Sequence, residues 1–234
     1  MKKRLKINGV IIFIAFAAIL AFPTFFLRYN RFGSRDIIAQ IVGIALILLG
    51  QFFRVSARGF KAENSEKGRA LIVGGPYALV RNPMYLGILL IGLGVVFVIF
   101  KWWVILIFLS VFTVRYILLI FSEEEKLLSV FSKEFSDYCN IVPRIFPSPR
   151  ALLKRDVVEY LPLKQDWLKK EIGSILATLL MTLLIDLWLD ARKKGLNAYS
   201  YELFWASTII LLFALLAVYL IKRTKESRDV SVKS

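Results

Sequence analysis

The sequence predicts an all-α, polytopic membrane protein of about six transmembrane helices with both termini in the cytoplasm. Three observations predict it. Hydrophobic residues make up 58% of the 234 and are gathered into long blocks instead of short alternating runs. Six blocks, 7–27, 37–53, 84–100, 102–121, 172–189 and 203–221, approach the roughly 20 residues that a helix needs to cross a bilayer. The basic residues are lopsided: with the N-terminus inside, segments 1–6, 54–81, 126–170 and 222–233 hold 24 of the 32 Lys and Arg, and the opposite side only seven. Basic residues in short loops are retained on the cytoplasmic side.

Block one follows MKKRLK and is read as a retained helix, because FPTFFLRYNRF comes next where a secretory signal would show a small-residue cleavage site. Block two runs into KAENSEKG, 61–68, polar enough to be read as a loop. Blocks three and four are separated by Lys101 alone, with Trp102 and Trp103 as an interfacial belt, so they form a tight hairpin. Its other two ends lie close together. One is preceded by RALIVGGPYALVRNPMYLG and the other runs into FSEEEKLLSVFSKEFSDYCNIVPRIFP. After Pro149, ALLKRDVVEYLPLKQDWLKKEIG mixes basic and apolar residues and reads as an amphipathic surface helix. Blocks five and six then form an added hairpin. This divides the chain into 1–36, an N-terminal helix with its outer loop; 37–149, a core with the unusual polar motifs; and 150–234, the surface segment and C-terminal hairpin.

Composition excludes several function classes. The net charge of +15 lies beside membrane segments and is mixed with acids, so anionic lipid headgroups, not nucleic acid, are its expected partners. The single cysteine, Cys139, allows no disulfide within the chain. Histidine is absent, which removes His-ligated metal sites, Ser-His-Asp triads and Cys-His dyads. No metal is expected.

The residues that remain are concentrated at the hairpin ends. Glu123, Glu124 and Glu125 would be unfavourable at a helix C-terminus, so either the helix continues through LLSVF or the acids serve a bound cation. Arg81 reads as a membrane anchor or an anion ligand, and Tyr77 and Tyr85 as belt aromatics or as faces for a cation. Pro83 suits a first helical turn. Gly87 and Gly94 lie one heptad apart on one stripe and Gly92 lies roughly opposite Gly94; such small residues permit close helix packing or close approach of a ligand. Arg115, roughly 12 Å along the axis before Glu123 at 1.5 Å per residue, either snorkels or lines a polar cavity, and Asp186 reads as structural. Together these place a cationic Arg, phenols, glycines and paired carboxylates at the mouth of a membrane hairpin. That set suits a zwitterionic polar cofactor meeting a lipophilic acceptor from the bilayer.

GPYALVRNPMYLG resembles the Gly-x-Tyr and Arg-His-Pro-x-Tyr-x-Gly segment of integral-membrane methyltransferases, both isoprenylcysteine carboxyl methyltransferases and phospholipid N-methyltransferases. EEEKLLSVFSKEFSDYCNIVPRIFP resembles that family's Glu-Glu-x-x-Leu, Phe-Gly-x-x-Tyr-x-x-Tyr and Val-Pro-Arg-x-x-Pro segment. Gly92-Leu93-Gly94 resembles its Gly-x-Gly. The resemblance covers about 37–147 and implies S-adenosylmethionine as cofactor, held at the cytoplasmic side by residues drawn from Tyr77, Arg81, Asn82, Tyr85, Gly87, Gly92, Gly94, Glu123 and Glu124. Arg81, Asn82 and Glu124 are the implied catalytic residues, and Arg144 and Arg115 the candidates for the substrate. The chain departs from the pattern at Asn82, where the family has His, at Ser132, where it has Gly, and at Phe135, where it has the first Tyr. A carboxylate acceptor needs no base, so the expected reaction is carboxyl O-methylation of an isoprenylcysteine-like substrate, with phospholipid ethanolamine N-methylation as the alternative. A non-catalytic scaffold or lipid-binding protein of the same fold is the third reading, and a small transporter a fourth. The expected setting is a prokaryotic plasma membrane; the oligomeric state is open.

Overall fold

The computed structural model describes residues 19, 21–28, 34–65, 70–148 and 160–194, without the side chains of 34–37, 183 and 186–194. Most of block one, all of block six and the side chain of Asp186 lie outside the described residues. What is described is helical, with no strand among it: α1 (Pro23–Phe26), α2 (Ser34–Asn64), α3 (Pro76–Leu79), α4 (Pro83–Ile99), α5 (Val104–Ile141) and α6 (Gln165–Lys194). Two helical segments, Ile38–Asn64 and Val104–Ile141, are long and apolar enough to cross a membrane, and Pro83–Ile99 is a shorter apolar helix. On α5, Leu106, Val114 and Leu118 are 61%, 65% and 67% exposed. A continuous stripe of such residues costs little only where lipid covers it.

Three boundaries differ from the sequence reading. Block two does not end in a loop at Lys61; α2 continues through Lys61–Asn64, where Asn64 Nδ2 donates to the Phe60 carbonyl at 2.9 Å. Lys, Ala and Glu are good helix formers, and apolar patterning marks where lipid ends, not where a helix does. Block four likewise continues to Ile141, so the three glutamates sit inside α5 and not at its C-terminus. Of the two readings for the triplet, the continuing helix is the one observed. QDWLKKEIG forms the first turns of the long helix α6 and not a separate surface helix; residues 149–159 lie outside the description.

α2 and α4 pack antiparallel along a seam of glycines. Gly43 faces Gly94 and Gly50 faces Gly87, one heptad apart on each helix. A Cβ built on Gly50 would stand 2.6 Å from the Gly87 carbonyl oxygen, and one on Gly87 2.7 Å from that of Gly50. Only hydrogen fits between backbones this close, the small-residue packing that membrane helices use in place of a hydrophobic driving force. At the far end of α4, Leu27 packs on Val98 and Ile99, and Trp103 meets Phe25 and Phe26 at 4.8 and 5.4 Å. That contact ties the segment around α1 to the α4–α5 turn.

α6 docks on α2 through polar anchors. Glu171, buried, takes Arg58 at 2.7 Å and Arg54 at 3.4 Å; Ser56 Oγ donates to the Pro162 carbonyl at 2.8 Å; Gln51 donates to Thr178 at 3.2 Å. Just before α6, Leu161 joins Phe53, Leu79, Val80 and Leu86 in one core cluster.

Helix α5 is broken at Ser132, with φ 38° and ψ −104°. The break redirects its last turns so that Phe135 and Tyr138 become buried. A side chain is strained in this backbone region and glycine is not. Ser132→Gly is therefore expected to stabilise the protein by about 1 kcal/mol, read as a raised melting temperature in detergent, and Ser132→Val to lower it.

Candidate functional site

The site begins with the turn GGP. Gly75 adopts φ 54°, open to glycine, and Pro76 starts α3. A side chain at position 75 would also collide with the Phe60 ring, 2.7 Å from a built Cβ. α3 presents Tyr77, and residues Val80 to Asn82 then lead into α4 with Pro83 in its first turn. Asn82 occupies the N-cap position, yet its side chain caps nothing. Its Nδ2 donates instead to the Arg144 carbonyl at 3.1 Å and to Glu124 Oε1 at 3.5 Å.

The two motif segments are thereby laced together. The Arg81 amide donates to the Pro143 carbonyl at 2.8 Å and the Asn82 amide to the Arg144 carbonyl at 3.1 Å. Tyr138 Oη donates to the Tyr77 carbonyl at 2.6 Å. Glu124 is the hub. It accepts Arg144 Nε and Nη2 at 3.1 and 2.9 Å on Oε2, and Arg81 Nη1 approaches Oε1 at 3.3 Å. Two guanidiniums on one nearly buried carboxylate form a charge-assisted cluster. Arg144 also lies over the Phe121 ring at 4.7 Å.

Beside this cluster is a cavity of about 280 Å³, near the lower end of the ~300–1,000 Å³ of small-ligand sites. Tyr77, Arg81, Asn82, Tyr85, Glu123 and Glu124 all line it, so six of the expected site residues meet there. Glu123 accepts the Tyr85 hydroxyl at 2.8 Å. Tyr77 is largely buried, and burial together with the Glu123 charge pushes its phenol well above the usual range. Tyr77 is thus a hydrogen-bond donor at neutral pH and no base. Arg81 Nε is buried and, among the described residues, has no hydrogen-bond partner. A buried donor left in that state costs roughly 1–3 kcal/mol, a reason for a bound acceptor there.

Other expected site residues lie elsewhere. Gly87 and Gly94 face the α2 backbone in the seam, and Gly92 faces the Phe108 ring, so all three have packing surroundings and none lines the cavity. Arg144 stands behind Glu124 and not on the cavity wall. Arg115 is exposed on α5 beside the Tyr116 ring, at 5.8 Å, and also lies off the wall. In return the cavity uses Lys61, Leu71 and Ile72, which lie outside the two motifs, together with the motif positions Leu127, Phe131, Phe135 and Tyr138 on its wall. Lys61 was hidden because its segment reads as a loop.

An aromatic row runs from this cavity along α5. Tyr85 meets Tyr116 at 5.3 Å, Tyr116 stacks on Phe112 at 4.2 Å, and Phe112 meets Phe108 at 5.7 Å. It joins the polar end of the hairpin to the apolar part of α4 and α5. No cluster of metal-ligating side chains occurs among the described residues.

Residues 38–134 match the family model of phospholipid methyltransferases, consistent with the membrane-methyltransferase family that the two motifs resemble. The match takes in Tyr77 to Tyr85 and the glutamates, and stops before Phe135, Tyr138 and Arg144. No curated protein and no solved structure matches the chain.

Proposed function

We propose that the chain is an integral-membrane methyltransferase that binds S-adenosylmethionine in the cavity lined by Tyr77, Arg81, Asn82, Tyr85, Glu123 and Glu124, on the cytoplasmic face, and methylates a lipophilic acceptor. The observation that carries this reading is the meeting of both motif segments on one cavity at the end of an apolar hairpin. The donor set suits the cofactor. Arg81 has a buried Nε–H without a partner for a carboxylate; Glu123 suits an ammonium or ribose hydroxyls; Tyr77 and Tyr85 offer ring faces to a sulfonium; Leu71, Ile72, Leu127 and Phe131 suit an adenine. Glu124, already taken by Arg81 and Arg144, positions Arg81 instead of meeting the ligand itself.

Bound there, the cofactor supplies an electrophilic methyl, which an acceptor lone pair takes as the carbon–sulfur bond breaks toward sulfur. The task of the protein is alignment and exclusion of water. Acceptor tails have a path along the aromatic row between α4 and α5, with no extraction into water. A carboxylate acceptor, as in an isoprenylcysteine, reacts without losing a proton. An ethanolamine acceptor must first give one up, and of the two carboxylates on the cavity Glu123, which among the described residues has no guanidinium partner, is the one that would take it. Asn82 has its amide tied to Arg144 and Glu124 and supplies no base. These features favour the carboxyl acceptor, and the family match keeps the phospholipid amine as the second reading.

The test is calorimetric titration of detergent-purified protein with S-adenosylhomocysteine. Saturable binding is expected, weakened at least about tenfold in Arg81→Ala and in Glu123→Ala, the loss of one charge-assisted contact. Absence of binding to folded wild type would leave the scaffold reading. Transfer of labelled methyl to an isoprenylcysteine analogue or to phosphatidylethanolamine vesicles then separates the acceptors: a methyl ester releases its label in base, and an N-methyl group does not.

A further inference from the structure

The last two turns of α2 have two faces with different partners. Gly59 and Glu63, four residues apart and so on one face, are held by Lys164 and by Trp167 in the first turn of α6. Trp167 lies against Gly59 and its Nε1 donates to Glu63 at 2.7 Å, and Lys164 pairs with the same carboxylate. Lys61 and Ser65, again four apart and turned about 200° from the first pair at 100° per residue, line the cavity. Anchoring from behind therefore fixes Lys61 over the site.

The other charged groups around the cavity already have partners. Glu124 is taken by Arg81 and Arg144, Glu123 accepts the Tyr85 hydroxyl, and Glu63 is taken by Lys164 on the other face. Among the described residues no carboxylate pairs with Lys61. An ammonium held at the exposed rim of a cavity, within reach of water and of the cavity interior, suits an incoming oxyanion. Its compact charge takes a carboxylate or a phosphate as a point contact and has no need of bidentate geometry.

We propose that Lys61 is an oxyanion-recognition residue of this site, a second cationic subsite beside Arg81. The proposal rests on the methyltransferase reading. The oxyanion is a carboxylate or a phosphate, and it has two possible sources: the amino-acid carboxylate of the methyl donor, or the carboxylate or phosphodiester of the lipophilic acceptor.

The test uses full-length protein in detergent and the variants Lys61→Met and Lys61→Arg. Because Lys61 is exposed, both are expected to melt with wild type. S-adenosylhomocysteine and its decarboxylated analogue are titrated, and KM and kcat are measured for both an isoprenylcysteine analogue and phosphatidylethanolamine vesicles as acceptor. If Lys61 holds the donor carboxylate, Lys61→Met weakens S-adenosylhomocysteine about tenfold and leaves the analogue unchanged. If it holds the acceptor, nucleoside affinity is unchanged and KM rises about tenfold while kcat stays within twofold. In either case Lys61→Arg restores most of the loss. A wild type that binds, with Lys61→Met equal to it in every affinity and in KM, overturns the Lys61 subsite alone. A folded wild type that binds no S-adenosylhomocysteine overturns the methyltransferase reading and this subsite with it.

Discussion

Gly50→Leu is expected to prevent α2 and α4 from packing and to leave a protein that aggregates or melts far below wild type in detergent. A Cβ at position 50 would meet the Gly87 carbonyl oxygen at 2.6 Å and the Ile91 backbone nitrogen at 2.8 Å. Both are backbone atoms of a helix, so neither can rotate away as a side-chain end would. The helices must move apart, and the opposing Gly43–Gly94 contact, on the same seam, is lost with them. Overpacking a core costs ~1–3 kcal/mol where side chains can give; here the expected loss is at least about 3 kcal/mol, with Gly50→Ala intermediate. Gly173→Ala is the control. Nothing lies within 4 Å of a Cβ there, on an exposed position of α6, so replacement should be neutral or stabilise by up to about 1 kcal/mol through helix propensity. Thermal unfolding followed by size-exclusion recovery separates the two results. Equal stability of Gly50→Leu and wild type would mean that α2 and α4 do not approach as described.

The contrast between these glycines shows what a sequence of this kind reveals. Apolar block length located α4 and the apolar part of α2 and α5, because a helix long enough to cross lipid carries a run of side chains that water would not tolerate. The same signal stops at the interface. It therefore missed the polar turns of α2 that bring Lys61 to the cavity, and it left open the continuation of α5 that carries Phe135 and Tyr138 to the cavity wall. The heptad spacing of Gly87 and Gly94 was visible and favoured packing for each glycine taken singly, but their partners Gly50 and Gly43 are far away in sequence and were not named. The convergence of Arg81, Asn82 and Tyr85 with Glu123 and Glu124 followed from the tight turn at Lys101, which forces the hairpin ends together. The division of labour between the two adjacent glutamates did not. It depends on which way each side chain leaves α5, and successive residues on a helix point about 100° apart. Glu124 meets the guanidiniums and Glu123 the Tyr85 hydroxyl. The anchoring of α6 by Glu171 was equally hidden, since an isolated glutamate near the start of an apolar block looks like any solvated acid.

Glu124→Ala is expected to affect folding and binding together, whereas Glu123→Ala affects binding alone. Removing the Glu124 carboxylate leaves Arg81 without its ion pair, takes away both acceptors of the Arg144 fork and deprives Asn82 Nδ2 of its longer contact. Arg81 and Glu124 keep only 13% and 12% of their side-chain surface exposed, so solvent cannot replace the lost partner for Arg81. Breaking a buried pair by removing one member costs ~3–5 kcal/mol. Arg144 is 41% exposed and recovers part of its solvation, which brings the expected loss to about 2–4 kcal/mol. With Arg81 released, affinity for S-adenosylhomocysteine should fall at least as far as in Arg81→Ala. Glu123 makes one contact with an exposed phenol edge and supports no loop, so its loss should shift stability by less than about 1 kcal/mol. A double-mutant cycle decides whether Glu124 works through the guanidiniums. If it does, Arg144→Met costs stability in the wild-type background and little in Glu124→Ala, a coupling of about 1 kcal/mol or more. Additive losses would show that the two residues act independently, and Glu124 would then return to the cavity as a ligand contact in its own right.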